Sequence, residues 1–284
     1  MAEFMNLRDA VEKMVRDGDS IAMEGFTHLI PFAAGHEIIR QARKNLTLIR
    51  MTPDLIYDQM IGMGCAEKLV FSWGGNPGVG STHRIRDAVE NAWPRPLALE
   101  EHSHAAMANA YEAGAANLPF AVFRGYIGVD LPKVNPQIKS VTCPYTGERL
   151  ATVPAVRPDV GIIHAQRADH AGNVLIEGII GCQKEVALGS RRTIVTVEEI
   201  VDDLHAGSYN STILPGWTLG AIVAVPGGAH PSYAQGYYKR DNSFYIEWDR
   251  ISRERESFLA WMQDNVLGKG PEAFAAHAGK RAAA

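Results

Sequence analysis

A mostly parallel, open α/β sheet with helices on both faces is the fold this sequence predicts, on three observations. Short apolar runs rich in Val, Ile and Leu recur about every 25 residues, the spacing of strand–helix–strand units. The stretches between them carry apolar residues at helical period. Several of the runs end directly in glycine or polar loops, as strands do at the carboxyl edge of a parallel sheet.

The first element is a helix. From Asn6, NLRDAVEKMVRDG places Leu7, Ala10, Val11, Met14 and Val15 on one face, with Asn6 as N-cap and Gly18 as stop. SIAMEGF (20–26) is a short buried strand running into a glycine turn. A helix near 33–43 precedes the strand LTLIRM (46–51), one near 54–62 precedes KLVFSW (68–73), and one near 83–92 precedes PLALEEH (96–102). An alanine-rich helix follows over 104–116. Pro132, Pro136, Pro144, Pro154 and Pro158 bar a long helix from 130–158, which reads as irregular structure with short antiparallel strands around VTCPYTGERLATV. Strands resume at DVGIIHAQ (159–166), TIVTVEEI (193–200) and AIVAVPGG (221–228). SYAQGYYKRDNSFYIEWD reads as a polar, aromatic stretch before a terminal helix near 252–265. With no low-complexity segment and no clean boundary, a single domain over 1–284 with an elaborated C-terminal part is expected.

Composition narrows the function classes. A net charge of −4 over 284 residues lacks the basic footprint of a nucleic-acid partner. No apolar run approaches the roughly 18 residues that would indicate a membrane span, and MAEFMNLRDAVEKM contains no secretory h-region. Cys65, Cys143 and Cys182 are odd in number and scattered, with no CxxC pair, so a reducing, cytoplasmic location is expected.

Ligands of such sheets bind beyond the carboxyl ends of the strands. Three segments end there in suggestive chemistry: EGFTHLIP (24–31), SWGGNPGVGS (72–81) and EEHSH (100–104). The glycine-rich loop is no nucleotide loop. Gly75 and Gly80 have Walker A spacing, but Ser81 stands where the phosphate-binding lysine must be, and GVGSTH lacks the third glycine of a dinucleotide fingerprint. Neither Ser72 nor Ser81 lies in a G-x-S-x-G elbow, so a serine nucleophile is unsupported. Their hydroxyls and the loop amides suit a carboxylate or a thioester oxyanion; a plain glycine turn is the competing reading. Gly25 lets a ligand approach the main chain, and the alternative is a tight turn with Phe26 in the core. His102 and His104 form an H-x-H pair beside Glu100 and Glu101. A metal site there would need His28, His83 or His164 to converge on it, and an active-site wall or a solvated strand end explains the cluster more simply. HAQRADHAGN (164–173) reads as a hairpin closed by Gly172-Asn173, with Arg167 and Asp169 paired across it.

Taken together, the GF after the first long strand, LTLIRMTPD (46–54), the glycine–serine loop (72–81), HAQRADHAGN (164–173) and PGGAHPSY (226–233) resemble the α subunits of family I CoA-transferases. EGFTHLIPFAAGHEIIRQ, FSWGGNPGVGS and IKSVTCPYTGE resemble the long-chain, glutaconate CoA-transferase-like branch. The resemblance covers nearly the whole chain through about residue 265 and implies the CoA-transferase fold.

It also implies a chemistry: transfer of CoA from succinyl-CoA to a dicarboxylic 3-oxo acid such as 3-oxoadipate. A glutamate carboxylate attacks the thioester, giving a mixed anhydride and CoA thiolate. The thiolate attacks the glutamyl carbonyl to leave an enzyme–CoA thioester, and the second acid reverses the sequence. In heteromeric members this glutamate lies on a β subunit in a Glu-Ser/Asn-Gly motif. Here Glu90-Asn91 is followed by Ala92 and Glu256-Ser257 by Phe258, so the motif is missing and a β-subunit partner is expected. No permanently bound cofactor is expected, CoA entering as the thioester substrate. The implied pocket comprises Gly25, Phe26, Ser72, Gly74, Gly75, Asn76, Gly78, Gly80, Ser81 and His102, with Glu101 auxiliary. Arg124 and Lys184 stand as options for the acid's distal carboxylate. Ring-cleaving CoA-thioester hydrolases of steroid breakdown share this resemblance and use an acidic residue of this subunit. They remain a rival, as do glutaconate or another dicarboxylate as acceptor, and a non-catalytic ligand-binding protein.

Overall fold

The computed structural model describes residues 2–77, 79–207 and 210–279. The chain opens with strand β1 (Glu3–Phe4) and helix α1 (Leu7–Met14). Asn6 caps α1 as its pattern predicts, its side chain accepting from the Asp9 N–H at 2.9 Å. Then follow β2 (Ser20–Glu24), α2 (Phe32–Arg40), β3 (Leu46–Ile49), α3 (Leu55–Gly62), β4 (Ala66–Phe71), α4 (His83–Glu90), β5 (Ala98–Glu101) and α5 (His104–Ala115), at the expected places. The proline-rich middle holds β6 (Phe120–Phe123), the single turn α6 (Leu131–Val134), β7 (Lys139–Thr142) and β8 (Arg149–Pro154). Beyond it come β9 (Val160–Asp169), β10 (Val174–Glu177), α7 (Gln183–Gly189), β11 (Arg192–Val201), β12 (Ser211–Leu214), β13 (Ala221–Ala224), α8 (Asn242–Arg253), α9 (Arg255–Met262) and α10 (Pro271–Ala275).

The main sheet runs in the order β1-β13-β11-β9-β2-β3-β4-β5. Every neighbouring pair along that path is parallel. Both faces are buried, and the alternation along each strand says which residue serves which face. Ile21, Leu48, Leu69, Ile162 and Ile194 join the core formed with α1 to α4, α8 and α9. Their successors Ala22, Ile49, Val70, Ile163 and Val195 join the core formed with α5 and α7.

Two details depart from the sequence reading. The β9–β10 hairpin forms, with Asp169 accepting from Asn173, but Arg167 pairs with Glu177 at 2.9 Å rather than with Asp169. Residues two apart on a strand share a face without touching, whereas Glu177 lies on the antiparallel neighbour. The terminal helix expected near 252–265 is two helices, α8 and α9, and α8 starts ten residues early. Its apolar stripe is three aromatics and an aliphatic residue, Phe244, Tyr245, Trp248 and Ile251, and Asp241 caps it by accepting from the Phe244 N–H. The short antiparallel strands expected in the proline-rich middle form the sheet β6-β8-β7; Ala121 and Val153 pack it on α5, and Phe120, Val122 and Val141 are left open to solvent. Val134 and Tyr145 beside it are 76% and 93% exposed.

Candidate active site

Since the strands of the main path run one way, the loops after β2, β3, β4 and β5 leave the same edge from adjacent strands. They meet in a cleft of about 240 Å³. Phe26, Thr27 and Ile30 come from the first loop, Arg50, Thr52 and Asp54 from the second, Trp73 and Pro77 from the third, and His104 from the fourth. Arg240 and Tyr245, from the segment that packs over the edge, close it. The convergence of 24–31, 72–81 and 100–104 is therefore seen in the structure. The fourth contributor, Arg50 to Asp54, is one that sequence reasoning did not single out.

The floor is a buried charge cluster. Arg50, 1% exposed, donates to Asp54 at 3.0 Å and to the Gly25 carbonyl at 2.8 Å. Glu24 beside it accepts from the Met51 N–H and from the Tyr111 hydroxyl, each at 2.8 Å. Burial pushes both Glu24 and Asp54 above the usual carboxylate range, with Arg50 opposing. Both carboxylates are thus bonded into the scaffold, and neither is a free nucleophile.

The turn after β2 is crowded. A Cβ on Gly25 would fall 2.6 Å from the Leu29 carbonyl oxygen and 2.7 Å from that of His28. Thr27 and Leu29 sit at φ values of 57° and 54°, uncommon for residues with a side chain and most so for β-branched Thr27. This conformation turns Phe26 outward, 41% exposed, into the cleft rather than into the core.

The glycine loop is held from within. Asn76 and Gly80 exchange backbone hydrogen bonds at 3.3 Å, Gly75 N–H donates to the Pro53 carbonyl, and Ser72 and Trp73 N–H both donate to that of Met51. Asn76 is buried and its side chain donates to the Tyr245 carbonyl at 2.7 Å, so it fastens the loop to α8. Ser81 is anchored by its N–H to Asp249, which also holds His83 and Arg253. Gly78 lies outside the described residues. The expected row of loose amides is accordingly short: among the described residues, Gly74 N–H is the one in this loop without a protein acceptor. The Ser72 hydroxyl donates to the Met51 carbonyl at 2.7 Å, which leaves it to accept from His104 Nδ1 at 3.1 Å. With its proton bound to a carbonyl and no base to take it, Ser72 is a positioned polar group, not a nucleophile.

The structure does not bring His102 or Glu101 into the cleft. His102 is buried, bonded to Glu100 at 2.9 Å, and Glu100 in turn pairs with Lys68 at 2.6 Å. Glu101 ends the edge strand with its carbonyl accepting from Asn135 and its side chain exposed. Of the two cations proposed for a distal carboxylate, Arg124 pairs with Glu148 and Lys184 with Glu185, and neither lines the cleft. A larger cleft of about 670 Å³ lies against the small sheet and includes none of the strand-end residues. No group of three His, Cys, Asp or Glu side chains suited to a metal gathers among the described residues. No helix among them is long and apolar enough to cross a membrane.

His28 lies just below the cleft, fully buried. Its Nε2 accepts from the Gln235 N–H at 3.0 Å, so Nδ1 carries the proton toward the Ile179 carbonyl at 3.3 Å. Burial pulls it down to about 4, and His36, also buried, down to about 3. A histidine with a lowered folded-state pKa adds stability that is complete above its unfolded value near 6.5 and is lost as pH falls toward the folded value. Each is expected to cost about 1.4 kcal/mol per pH unit between pH 6 and 4. The raised carboxyls Glu24, Asp54 and Asp58 act in the opposite sense. The test is therefore a difference: urea unfolding of wild type and His28→Gln at pH 7 and 5, the variant showing the shallower acid loss. Equal losses would show that His28 takes up its proton in the folded state.

A family model described as Coenzyme A transferase matches residues 4–225. The chain is 65% identical over 268 residues to a 3-oxoadipate CoA-transferase subunit of Pseudomonas knackmussii, covering 94% of this chain and 95% of that one. It is 33% identical to a glutaconate CoA-transferase subunit of Acidaminococcus fermentans, covering 94% and 88%. The crystal structure of glutaconate coenzyme A-transferase from the same organism superposes with a TM-score of 0.89 at 31% identity, over 99% of this chain and 94% of that one. On the family match, the near full-length identities and the shared fold, this chain belongs to the coenzyme A transferase family.

Proposed function

We propose that this chain is the α subunit of a heteromeric, cytoplasmic CoA-transferase that moves CoA from succinyl-CoA to 3-oxoadipate, with the attacking glutamate supplied by a β subunit. The observation that carries the substrate is the 65% identity along nearly the whole chain to a protein named for that reaction. The division of labour is supported by the cleft itself. Its only lining carboxylate among the described residues, Asp54, is tied to Arg50. The Glu90 and Glu256 near-matches to the nucleophile motif are on α4 and α9, neither lines the cleft, and Glu90 pairs with Arg86 in solvent.

The partner's carboxylate would enter above the cleft and attack the thioester, with CoA bound as substrate and no resident cofactor. Gly74 N–H and His104, whose Nδ1 is held by Ser72, are the polar groups this chain offers to the reacting carboxyl. Phe26 and Trp73, both more than 40% exposed here, would be covered by the partner and would keep water from the anhydride. The apolar surface of the small sheet fits an interface of the same kind.

The test uses this chain purified with its β subunit. Incubation with succinyl-CoA, borohydride reduction and peptide mapping should find a reduced glutamate on the β subunit, formed only when both chains are present. Thioester breakdown without an acceptor acid and without a trapped glutamate would overturn the transferase reading in favour of hydrolysis.

A further inference from the structure

We infer that Arg240 is the cation that selects a dicarboxylic acid in this cleft, receiving the carboxylate remote from the reacting one. This rests on the transferase reading and names a residue for its specificity.

Two guanidinium groups line the cleft. Arg50 is spent on Asp54 and on the Gly25 carbonyl, and it is buried in the floor. Arg240 is half-buried at the wall. One of its N–H groups donates to the Pro77 carbonyl at 3.1 Å, and its guanidinium lies over the Tyr245 ring, 3.8 Å from the centroid. No salt bridge within 4 Å engages it among the described residues; its charge acts on Asp54 from further off, and its side chain also meets that of Tyr245. Asp54, the nearby acid of the cleft, already has Arg50 as its partner. A guanidinium has five N–H donors in a planar fork, so Arg240 keeps a bidentate edge for a carboxylate while its face is braced on Tyr245.

The rest of the cleft suits an acid with an anion at each end. Phe26, Ile30, Trp73 and Tyr245 supply apolar walls for a short acyl chain, and His104, held through Nδ1 by Ser72, supplies the polar end for the carboxyl that reacts. A volume near 240 Å³ is below the roughly 300–1,000 Å³ of pockets for drug-sized ligands, and so favours a short chain. Once a partner covers the opening, a monocarboxylic acid of equal length would leave the Arg240 charge enclosed with only a share of Asp54, already bonded to Arg50, to answer it, which is costly. Selection then comes from the penalty on the wrong acid as much as from the pairing with the right one.

The experiment uses the complex with the β subunit, saturating succinyl-CoA, and two acceptors: 3-oxoadipate and 3-oxohexanoate, which carries a methyl group where the first has its distal carboxylate. In a ping-pong reaction, kcat/KM for the acceptor reports only the second half-reaction, so any effect on the succinyl donor does not enter. Arg240→Met, which retains an apolar stem against Tyr245, is expected to lower kcat/KM for 3-oxoadipate about 100-fold through KM. It should leave 3-oxohexanoate unchanged or improved, and Arg240→Lys should restore part of the preference. Equal losses for both acceptors in both variants would overturn the inference and leave Arg240 as an anchor of the glycine loop through Pro77. A wild-type complex that traps the glutamyl thioester yet treats the two acceptors alike would overturn it with the transferase reading intact. A wild-type complex with no CoA transfer would remove that reading, and this inference with it.

Discussion

Replacing Arg50 by Met is expected to destabilise the folded chain by about 3–5 kcal/mol at pH 7.5, because it strands two buried carboxylates at once. Asp54 would lose its partner at 3.0 Å, and Glu24 would lose the positive charge that opposes its desolvation. The Gly25 carbonyl would lose its 2.8 Å donor as well, loosening the turn that carries Phe26. The loss should depend on pH in a definite direction. Both carboxyls already titrate above the usual range in the presence of Arg50, and removing it raises them further. A carboxyl with a raised folded-state pKa favours the folded form as pH falls, since the folded chain binds the proton more tightly. The deficit should therefore shrink between pH 7.5 and pH 5, as measured by urea unfolding at both values. Arg50→Met together with Asp54→Leu should be less damaging than Arg50→Met alone, because one stranded charge is gone. If Arg50→Met unfolded at the wild-type urea midpoint at pH 7.5, the ion pair would contribute nothing net and the floor would be held by packing.

The parts of this fold that the sequence made legible are those in which one residue's neighbours decide its structure. Strand alternation cannot be seen in a fully buried parallel sheet, yet the bare apolar runs at SIAME, LTLI and KLVF still mark strands because glycines and helix caps bound them. The carboxyl-edge rule then placed three loops at one end without any knowledge of contacts. What stayed hidden are residues whose role comes from distant partners. Arg50 lies inside the run LTLIRM with nothing beside it to mark a role, and it is 1% exposed between Glu24 and Asp54. Arg240 and Tyr245 stand more than 150 residues from the loop they touch, and α8 with the residues just before it carries them there. That helix could have been found: Phe244, Tyr245, Trp248 and Ile251 follow helical spacing, with Asp241 three residues ahead as cap. Its tyrosines and charges masked the period. His102 shows the opposite failure. On an edge strand a polar run gives no sign of which side is covered, and here the covered side holds His102 against Glu100 and Asn135.

Gly25→Ala is expected to lower kcat/KM of the complex about 100-fold, the size of effect that a displacement on the order of 1 Å produces in a positioned site. The cause is close approach, not backbone freedom, since Gly25 does not take a positive φ. Its added Cβ would meet two carbonyl oxygens at 2.6 and 2.7 Å, and these belong to a turn already fixed by Leu29 N–H on the Tyr233 carbonyl and by Thr27 at φ 57°. Backbone oxygens cannot rotate away as a side chain can. The turn must move, and Phe26 and Thr27 move with it. Two other glycines of the site separate this cause from a general intolerance. Gly80→Ala would meet the Asp249 carboxylate at 2.3 Å, a flexible group, though one tied to His83, Arg253 and the Ser81 N–H, so an intermediate loss is expected. Gly74→Ala would find its nearest neighbour, Pro53 Cγ, at an ordinary 3.6 Å and should keep activity within a few-fold of wild type, by the tolerance of sites where nothing is displaced. Steady-state kinetics of the three complexes, with thermal unfolding to confirm that each is assembled, decides the order. If Gly74→Ala fell as far as Gly25→Ala, crowding could not be the reason, and the loop amide of residue 74 would have to be making a contact in the reaction that a methyl group blocks.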